Sequence, residues 1–214
     1  MPVIIVPTGI TAWSAIFPYV QQYASQAPTF VVEDALKEVA REFFSASLCW
    51  RDSEIALLTT VSGQHEYAYS PPSGKELVAI TSAWNGTTEW RVLLPGDDED
   101  AYTAELADEP AIYVVSGGES IALSPAPASS DLAITGTVAW TPAVNGAGIP
   151  TWAFNSYKQQ LAAGAAAQLC IQDDRPWTRP ERYAGLRKMF EDGMTSASNG
   201  AGPVRRVPLR VKAW

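Results

Sequence analysis

Residues 28–52 read Pro28-Thr29-Phe30-Val31-Val32-Glu33-Asp34-Ala35-Leu36-Lys37-Glu38-Val39-Ala40-Arg41-Glu42-Phe43-Phe44-Ser45-Ala46-Ser47-Leu48-Cys49-Trp50-Arg51-Asp52. They contain the change of character that decides the fold. Val32, Leu36, Val39, Phe43 and Ala46 recur at intervals of four and three, the helical period, so the spacing predicts a helix over 29–48 with that stripe inward. Glu33, Asp34, Lys37, Glu38, Arg41 and Glu42 fall on the other face, where exposed charge pairs add weak support. Pro28 and Thr29 are start signals, and Glu33 and Asp34 suit the positive end of the helix. After Trp50-Arg51-Asp52 the helical period is gone.

From 54 to 141 the chain reads as short strands divided by turns. The candidates are 55–61, 65–69, 75–83, 88–94, 111–115, 119–123 and 132–140. Ser70-Pro71-Pro72-Ser73-Gly74, Asn85-Gly86, Pro95-Gly96 and Gly117-Gly118 are turn chemistry, and the second and fourth suit tight hairpins. Strands at this spacing point to a small antiparallel sandwich or barrel. Pro142–Pro150 is a return loop.

Upstream, Thr11 can cap a short helix carrying Trp13, Ile16 and Phe17, which Pro18 disturbs. Downstream, helix resumes over 152–172, with Phe154, Tyr157, Leu161, Ala165 and Leu169 as its stripe. Its run of alanines around Gly164 favours helix and permits close helix approach. Thr178-Arg179-Pro180-Glu181 matches a capping box before a last helix over 179–197, which buries Tyr183, Leu186, Phe190 and Met194. The expected class is therefore α+β. Residues 1–53 and 146–200 form a helical bundle, 54–145 form an inserted antiparallel β-sandwich or barrel-like region, and 201–214 form an extended basic tail.

The formal net charge of the 214 residues is −8. It is unevenly placed: residues 1–140 hold five basic and eighteen acidic residues, a net of −13, whereas 141–214 hold ten basic and five acidic, a net of +5. An acidic chain is poorly suited to gripping nucleic acid, because that needs clustered Lys and Arg to release counterions. A chain negative at one end and positive at the other can stack on copies of itself. No apolar run approaches the ~20 residues of a membrane span. The opening residues lack the basic and apolar regions of a signal peptide. Cys49 and Cys170 lie among apolar neighbours late in predicted helices, as free buried thiols do, and have no metal-type spacing.

Chemistry is sparse. There is no phosphate-binding glycine loop, nucleophile elbow or HExxH stretch, so no catalytic, cofactor-binding or metal residue is assigned. The lone histidine, His65, could act as a general base, but the commoner reading is a solvated side chain. Asp97-Asp98-Glu99-Asp100 lacks the spacing of a calcium loop and reads as a solvated acidic loop. Asp173-Asp174 opposes the dipole of the helix it ends, which hints at a basic partner on another subunit. The eight tryptophans are scattered through every segment, as core or interface anchors would be. In the tail, apolar residues alternate loosely with Arg205, Arg206, Arg210 and Lys212, which suits an arm laid on protein.

The order of these signals resembles the head-to-tail adaptor, or head-completion, proteins of tailed bacteriophages. The resemblance is carried by Ile16-Phe17-Pro18-Tyr19-Val20, by Ala35–Phe44, by Trp50-Arg51 and by Leu123-Ser124-Pro125-Ala126-Pro127. Further on it is carried by Tyr157, Gly164-Ala165, Pro176-Trp177, Pro180 and Phe190, and it covers roughly residues 10–195. It implies a structural virion protein of the neck, made in the host cytoplasm, with no catalytic residues to carry over. It also implies a ring of copies, twelvefold, beneath the portal. Such a ring extends the DNA channel and docks a tail or neck protein, and double-stranded DNA passes without sequence-specific binding. On that footing Asp97, Asp98, Glu99 and Asp100 are candidates to face the lumen, and Arg205, Arg206, Leu209, Arg210, Lys212 and Trp214 to contact the portal or a neighbouring subunit. No cofactor and no membrane are implied. The competing readings are a β-rich carbohydrate- or peptide-binding module and an enzyme built around His65.

Overall fold

The computed structural model describes residues 9–86, 88–94, 111–115 and 118–202. They divide into two compact units. One holds 9–47, 73–75 and 141–201; the other holds 48–72, 76–86, 88–94, 111–115 and 118–140, with Gly202 joined to it.

The first unit is built around helix. Its elements are β1 (Ile10–Ala12), α1 (Phe17–Gln21), α2 (Thr29–Ser47), β9 (Gly148–Pro150), α3 (Thr151–Cys170) and α4 (Tyr183–Gly200). β1 and β9 pair antiparallel, with Thr11 opposite Ile149. The α2 helix opens where Val32 N–H reaches the Pro28 carbonyl, 3.1 Å away, and it ends before Leu48, which takes a left-handed φ of 48°. Val32, Leu36, Val39 and Phe43 are buried as expected. Ala46 is exposed and Ser47 takes its place, because the inward stripe continues from Phe43 by four residues and not three.

The centre of this unit is α3. Every residue from Leu161 to Cys170 except Gln168 is buried. A helix apolar on all sides must be covered on all sides, and α1, α2 and α4 all pack on it. Gly164 sits where a Cβ would come within 2.6 Å of both Val39 Cγ1 and the Phe190 ring. Phe43 meets Tyr157 and Phe190 at ring separations of 5.2 and 5.9 Å. On α4, Leu186, Phe190, Gly193 and Ala197 are the buried residues. Tyr183 is 38% exposed, because this helix starts four residues later than the sequence suggests, after a 3₁₀ turn at Pro180–Arg182.

The second unit carries β2 (Arg51–Thr59), β3 (Glu66–Ala68), β4 (Lys75–Asn85), β5 (Thr88–Val92), β6 (Ala111–Val114), β7 (Ser120–Ser124) and β8 (Ala133–Pro142). They form one sheet in the order β2-β8-β4-β5-β6-β7-β3. This corrects the expected class. The strand-rich region is a single curled seven-stranded sheet within a mixed α/β fold, not an antiparallel sandwich inserted in a helical bundle. Two observations overturn the expectation. The β5–β6 pair is parallel, with Arg91 opposite Ala111. The helical unit also has a small sheet of its own.

Chain length forces the curl. The outermost strands of the sheet, β2 and β3, are consecutive in sequence and joined only by residues 60–65. Fully extended, that linker reaches about 25 Å, whereas seven strands laid flat span about 29 Å. The linker is also folded back, with Gln64 N–H donating to the Val61 carbonyl at 3.0 Å.

Filling the notch at Gly164 should be costly. Gly164→Ala is expected to lower stability by about 1–2 kcal/mol, the gain in helix propensity being smaller than the overpacking cost. Urea unfolding followed by circular dichroism measures this, and an unchanged midpoint would contradict the packing described.

Candidate functional surfaces and joints

Trp50-Arg51-Asp52 lies where the helical stretch gives way to strand. The Arg51 Nε donates to the Leu48 carbonyl at 2.7 Å, and Nη2 donates to the Gly202 carbonyl at 3.3 Å. The left-handed Leu48 turns its carbonyl toward that guanidinium. Burial lowers the Arg51 pKa from its ordinary value. Trp140 is fully buried, and its backbone N–H donates to the Trp50 carbonyl at 2.9 Å. Its indole Nε1 donates to Asp52 Oδ2 at 2.9 Å. Tyr69 stacks on Trp140 with ring centres 6.4 Å apart, and burial, helped by the Asp52 charge, pushes its phenol up. Between Asp52 and Ile55 the register with β8 shifts, and Glu54 takes a φ of 59°. Such a bulge bends an outer strand and blunts its pairing edge.

Leu123-Ser124-Pro125-Ala126-Pro127 forms the other joint, with a cis bond at Ser124–Pro125. The linker from β2 to β3 runs beside it. Leu123 N–H donates to the His65 carbonyl at 2.8 Å, and Gly63 N–H to the Pro127 carbonyl at 2.9 Å. Thr60 Oγ1 donates to the Ser129 carbonyl and accepts from Leu132 N–H, both at 3.0 Å. The Tyr67 hydroxyl accepts from Val61 N–H at 3.0 Å and lies 3.2 and 3.1 Å from the Val61 and Gln64 carbonyls.

In the helical unit, Tyr19 meets Phe154 edge to face at 6.4 Å, and the Lys158 ammonium lies over both rings. Arg187 on α4 forks onto Glu42 of α2, Nη2–Oε1 2.5 Å and Nη1–Oε2 3.2 Å, while its Nε holds Glu191 at 2.8 Å. These carboxylates raise the Arg187 pKa above its ordinary value.

Read in order, the blocks Ile16–Val20, Trp50-Arg51, Leu123–Pro127 and Gly164 with Phe190 are the packing joints of the molecule. The family model of the SU10 adaptor protein matches residues 13–211. The chain belongs to this family of phage head-to-tail adaptors. No curated protein matches it. The adaptor family is a structural one of the bacteriophage virion, which agrees with the resemblance seen in the sequence.

The residues singled out for chemistry are dispersed. His65 is exposed and stands just before β3, its Nδ1 3.2 Å from the Leu123 carbonyl. Among the described residues no group of three His, Cys, Asp or Glu side chains is placed to hold a metal. Cys170 ends α3 and is buried, and burial pushes its thiol up. Cys49 follows α2 half-buried and is not within it. Thr178 does not form the expected capping box. Its hydroxyl donates to the Gln172 carbonyl and accepts from Arg175 N–H, holding the loop between α3 and α4. Asp173 and Asp174 are exposed, the latter with φ 52°. Among the described tryptophans, Trp13, Trp50, Trp90, Trp140 and Trp177 are buried and Trp84 and Trp152 half-buried, as core anchors are. Among the described residues no helix is long and apolar enough to cross a membrane. Asp97, Asp98, Glu99 and Asp100 lie outside the described residues, as do Arg205, Arg206, Leu209, Arg210, Lys212 and Trp214 of the tail. What sequence reasoning missed is the role of Asp52 and Tyr69, which only the pairing of β2 with β8 brings to Trp140.

Asp52→Ala leaves a buried indole N–H without its carboxylate, at a cost of about 1–3 kcal/mol. Asp52→Asn keeps an acceptor oxygen and should lose much less. Thermal melts of the two variants check this; equal losses would mean the hydrogen bond does not matter.

Proposed function

We propose that the chain is the head-to-tail adaptor that docks as a twelvefold ring beneath the portal of a tailed phage, extends the DNA channel and receives the tail or neck protein. The observation that carries this is the family match, which runs through both units from residue 13 to residue 211. It is supported by the use to which polar groups are put: Arg51, Asp52, Thr60 and Arg187 each secure backbone or a neighbouring side chain. The work is mechanical and not enzymatic on this reading.

The charge division gives each end a task. The acidic stretch 97–100 faces the lumen, where like charge keeps DNA phosphates from sticking. The tail, with Arg205, Arg206, Leu209, Arg210, Lys212 and Trp214, engages the portal or a neighbouring copy.

Incubating the purified chain with portal rings and imaging by electron microscopy tests the reading directly. A ring of added density under the portal is expected; portals left bare by a folded chain would refute it. Truncation after Gly200 should abolish attachment while leaving the helical circular dichroism intact, and normal attachment would remove the tail from the interface. Charge reversal at Asp97–Asp100 should slow DNA ejection from assembled particles. Unchanged ejection kinetics would take these acids out of the lumen.

A further inference from the structure

The outer strands of the two sheets are not protected alike. β2 bulges and carries the exposed Glu54, and β3 carries the exposed Glu66. Bulges and charges keep a strand edge from pairing with other chains. β1 has neither. Its one sheet neighbour among the described residues is β9, and both Ile10, at 53%, and Ala12 are exposed. The sequence holds no Asp, Glu, Lys or Arg before Glu33. The pairing with β9 fixes which backbone groups point outward. Antiparallel strands exchange bonds only at alternate pairs. Ile10 lies opposite Pro150, which has no N–H to give, so that pair is of the non-bonded kind. The bonds across to the β9 side fall on the residues to either side, and Thr151 N–H donates to the Gly9 carbonyl at 2.9 Å. Ile10 and Ala12 therefore turn their N–H groups to the free edge.

The residues before β1 read Val3-Ile4-Ile5-Val6-Pro7-Thr8-Gly9, opening with four β-branched apolar residues. Such a run favours strand. Tight hairpins back onto β1 of the same chain are closed to it. A two-residue loop of Pro7-Thr8 or Thr8-Gly9 needs a positive φ at its first residue, which proline cannot adopt and a β-branched threonine strongly disfavours. A three-residue loop of Pro7-Thr8-Gly9 needs its last residue left-handed, and Gly9 is not in that region. Gly9 is instead held in line with β1 by Thr151, whose Oγ1 also accepts from Thr11 Oγ1 at 3.0 Å.

We infer that two copies complete each other's edge: residues 4–12 of one pair antiparallel with residues 4–12 of the other, about a two-fold axis at Thr8. Val6 then lies opposite Ile10 and Ile4 opposite Ala12, at the positions whose N–H groups point outward. Pro7 falls opposite Gly9 at a non-bonded pair, so its missing N–H loses no bond, and Gly9 keeps its carbonyl on Thr151. A slip that set Pro7 opposite Ile10 would lose that bond. Val6 covers the bared Ile10, a favourable cross-strand pair of β-branched side chains. The segment matches itself, so a second copy supplies both strand and edge, and a two-fold contact closes with no arm left over. It is a contact of the free chain. The head-to-tail contacts of the ring proposed above are of another kind, so neither reading depends on the other.

Sedimentation velocity of the full-length chain over a concentration series should show the wild type forming a dimer. Val6→Pro removes an N–H aimed at the partner and should weaken that dimer about ten-fold or more. Ile5→Pro, one position away, removes an N–H aimed the other way and should weaken it far less. Equal effects of the two prolines would overturn the pairing, since a general disturbance of the chain strikes both alike. Thr8→Cys sets two thiols at a Cα separation of about 5.5 Å, within disulfide reach. Mild oxidation should therefore link two copies through that position, whereas Ile5→Cys, set opposite Thr11, should not link to itself. A wild type monomeric throughout the series, or equal linking by the two cysteine variants, would sink the contact. So would a monomeric wild type whose attachment to portal rings is lost in Val6→Pro, which would give the segment to the portal instead.

Discussion

The close approach of three helices at Gly164 is the constraint on which the helical unit depends. Val39 arrives from α2 and Phe190 from α4, each near enough to forbid a β-carbon between them. That closeness buries α3 on every side, which is why its sequence from Leu161 to Ala167 is almost wholly small. Small residues contribute little apolar area each, so large neighbours must supply it. Phe43, Phe44 and Phe190 are fully buried, and Tyr157 and Trp152 close the aromatic cluster from α3 itself. The aromatic residues and the alanine run are thus one design: slender helix at the centre, bulky side chains reaching it from outside.

Much of the local structure was legible. Each of the seven strand candidates between 54 and 141 matches a strand of the sheet, because turn residues such as Asn85-Gly86 mark the breaks by their backbone requirements; Gly86 does take a positive φ. What could not be read was pairing. Alternation tells a strand which face is inward but not which strand lies beside it. Nothing in 88–92 or 111–114 announces that these two run parallel, and an antiparallel sandwich was the ordinary default for short strands. The curl was implicit in the six-residue linker, but only once β2 and β3 were known to be the outermost strands.

The site was legible in a different way. Residues that carried the resemblance, such as Trp50-Arg51 and Leu123–Pro127, are the points where chain segments are locked by hydrogen bonds, so their order tracks architecture. Asp52 and Tyr69 escaped notice because their meaning depends on Trp140, about seventy to ninety residues later, and a partner that distant leaves no local spacing to detect. The capping box at Thr178 failed for a related reason. A hydroxyl beside several orphan groups at the end of α3 is drawn back to the Gln172 carbonyl, and the following helix begins without it.

Charge in the described residues is spent on holding structure. Among the described residues each group shifted from its ordinary ionisation has a structural cause. Arg187 is stiffened by two carboxylates, Arg51 and Tyr69 are half-buried at a strand joint, and Cys170 is shut inside a helix. Ionisable groups spent on joints hold a surface in a fixed shape. Every rotamer frozen beforehand is entropy not lost on docking, so a surface held in this way can bind through broad complementary faces.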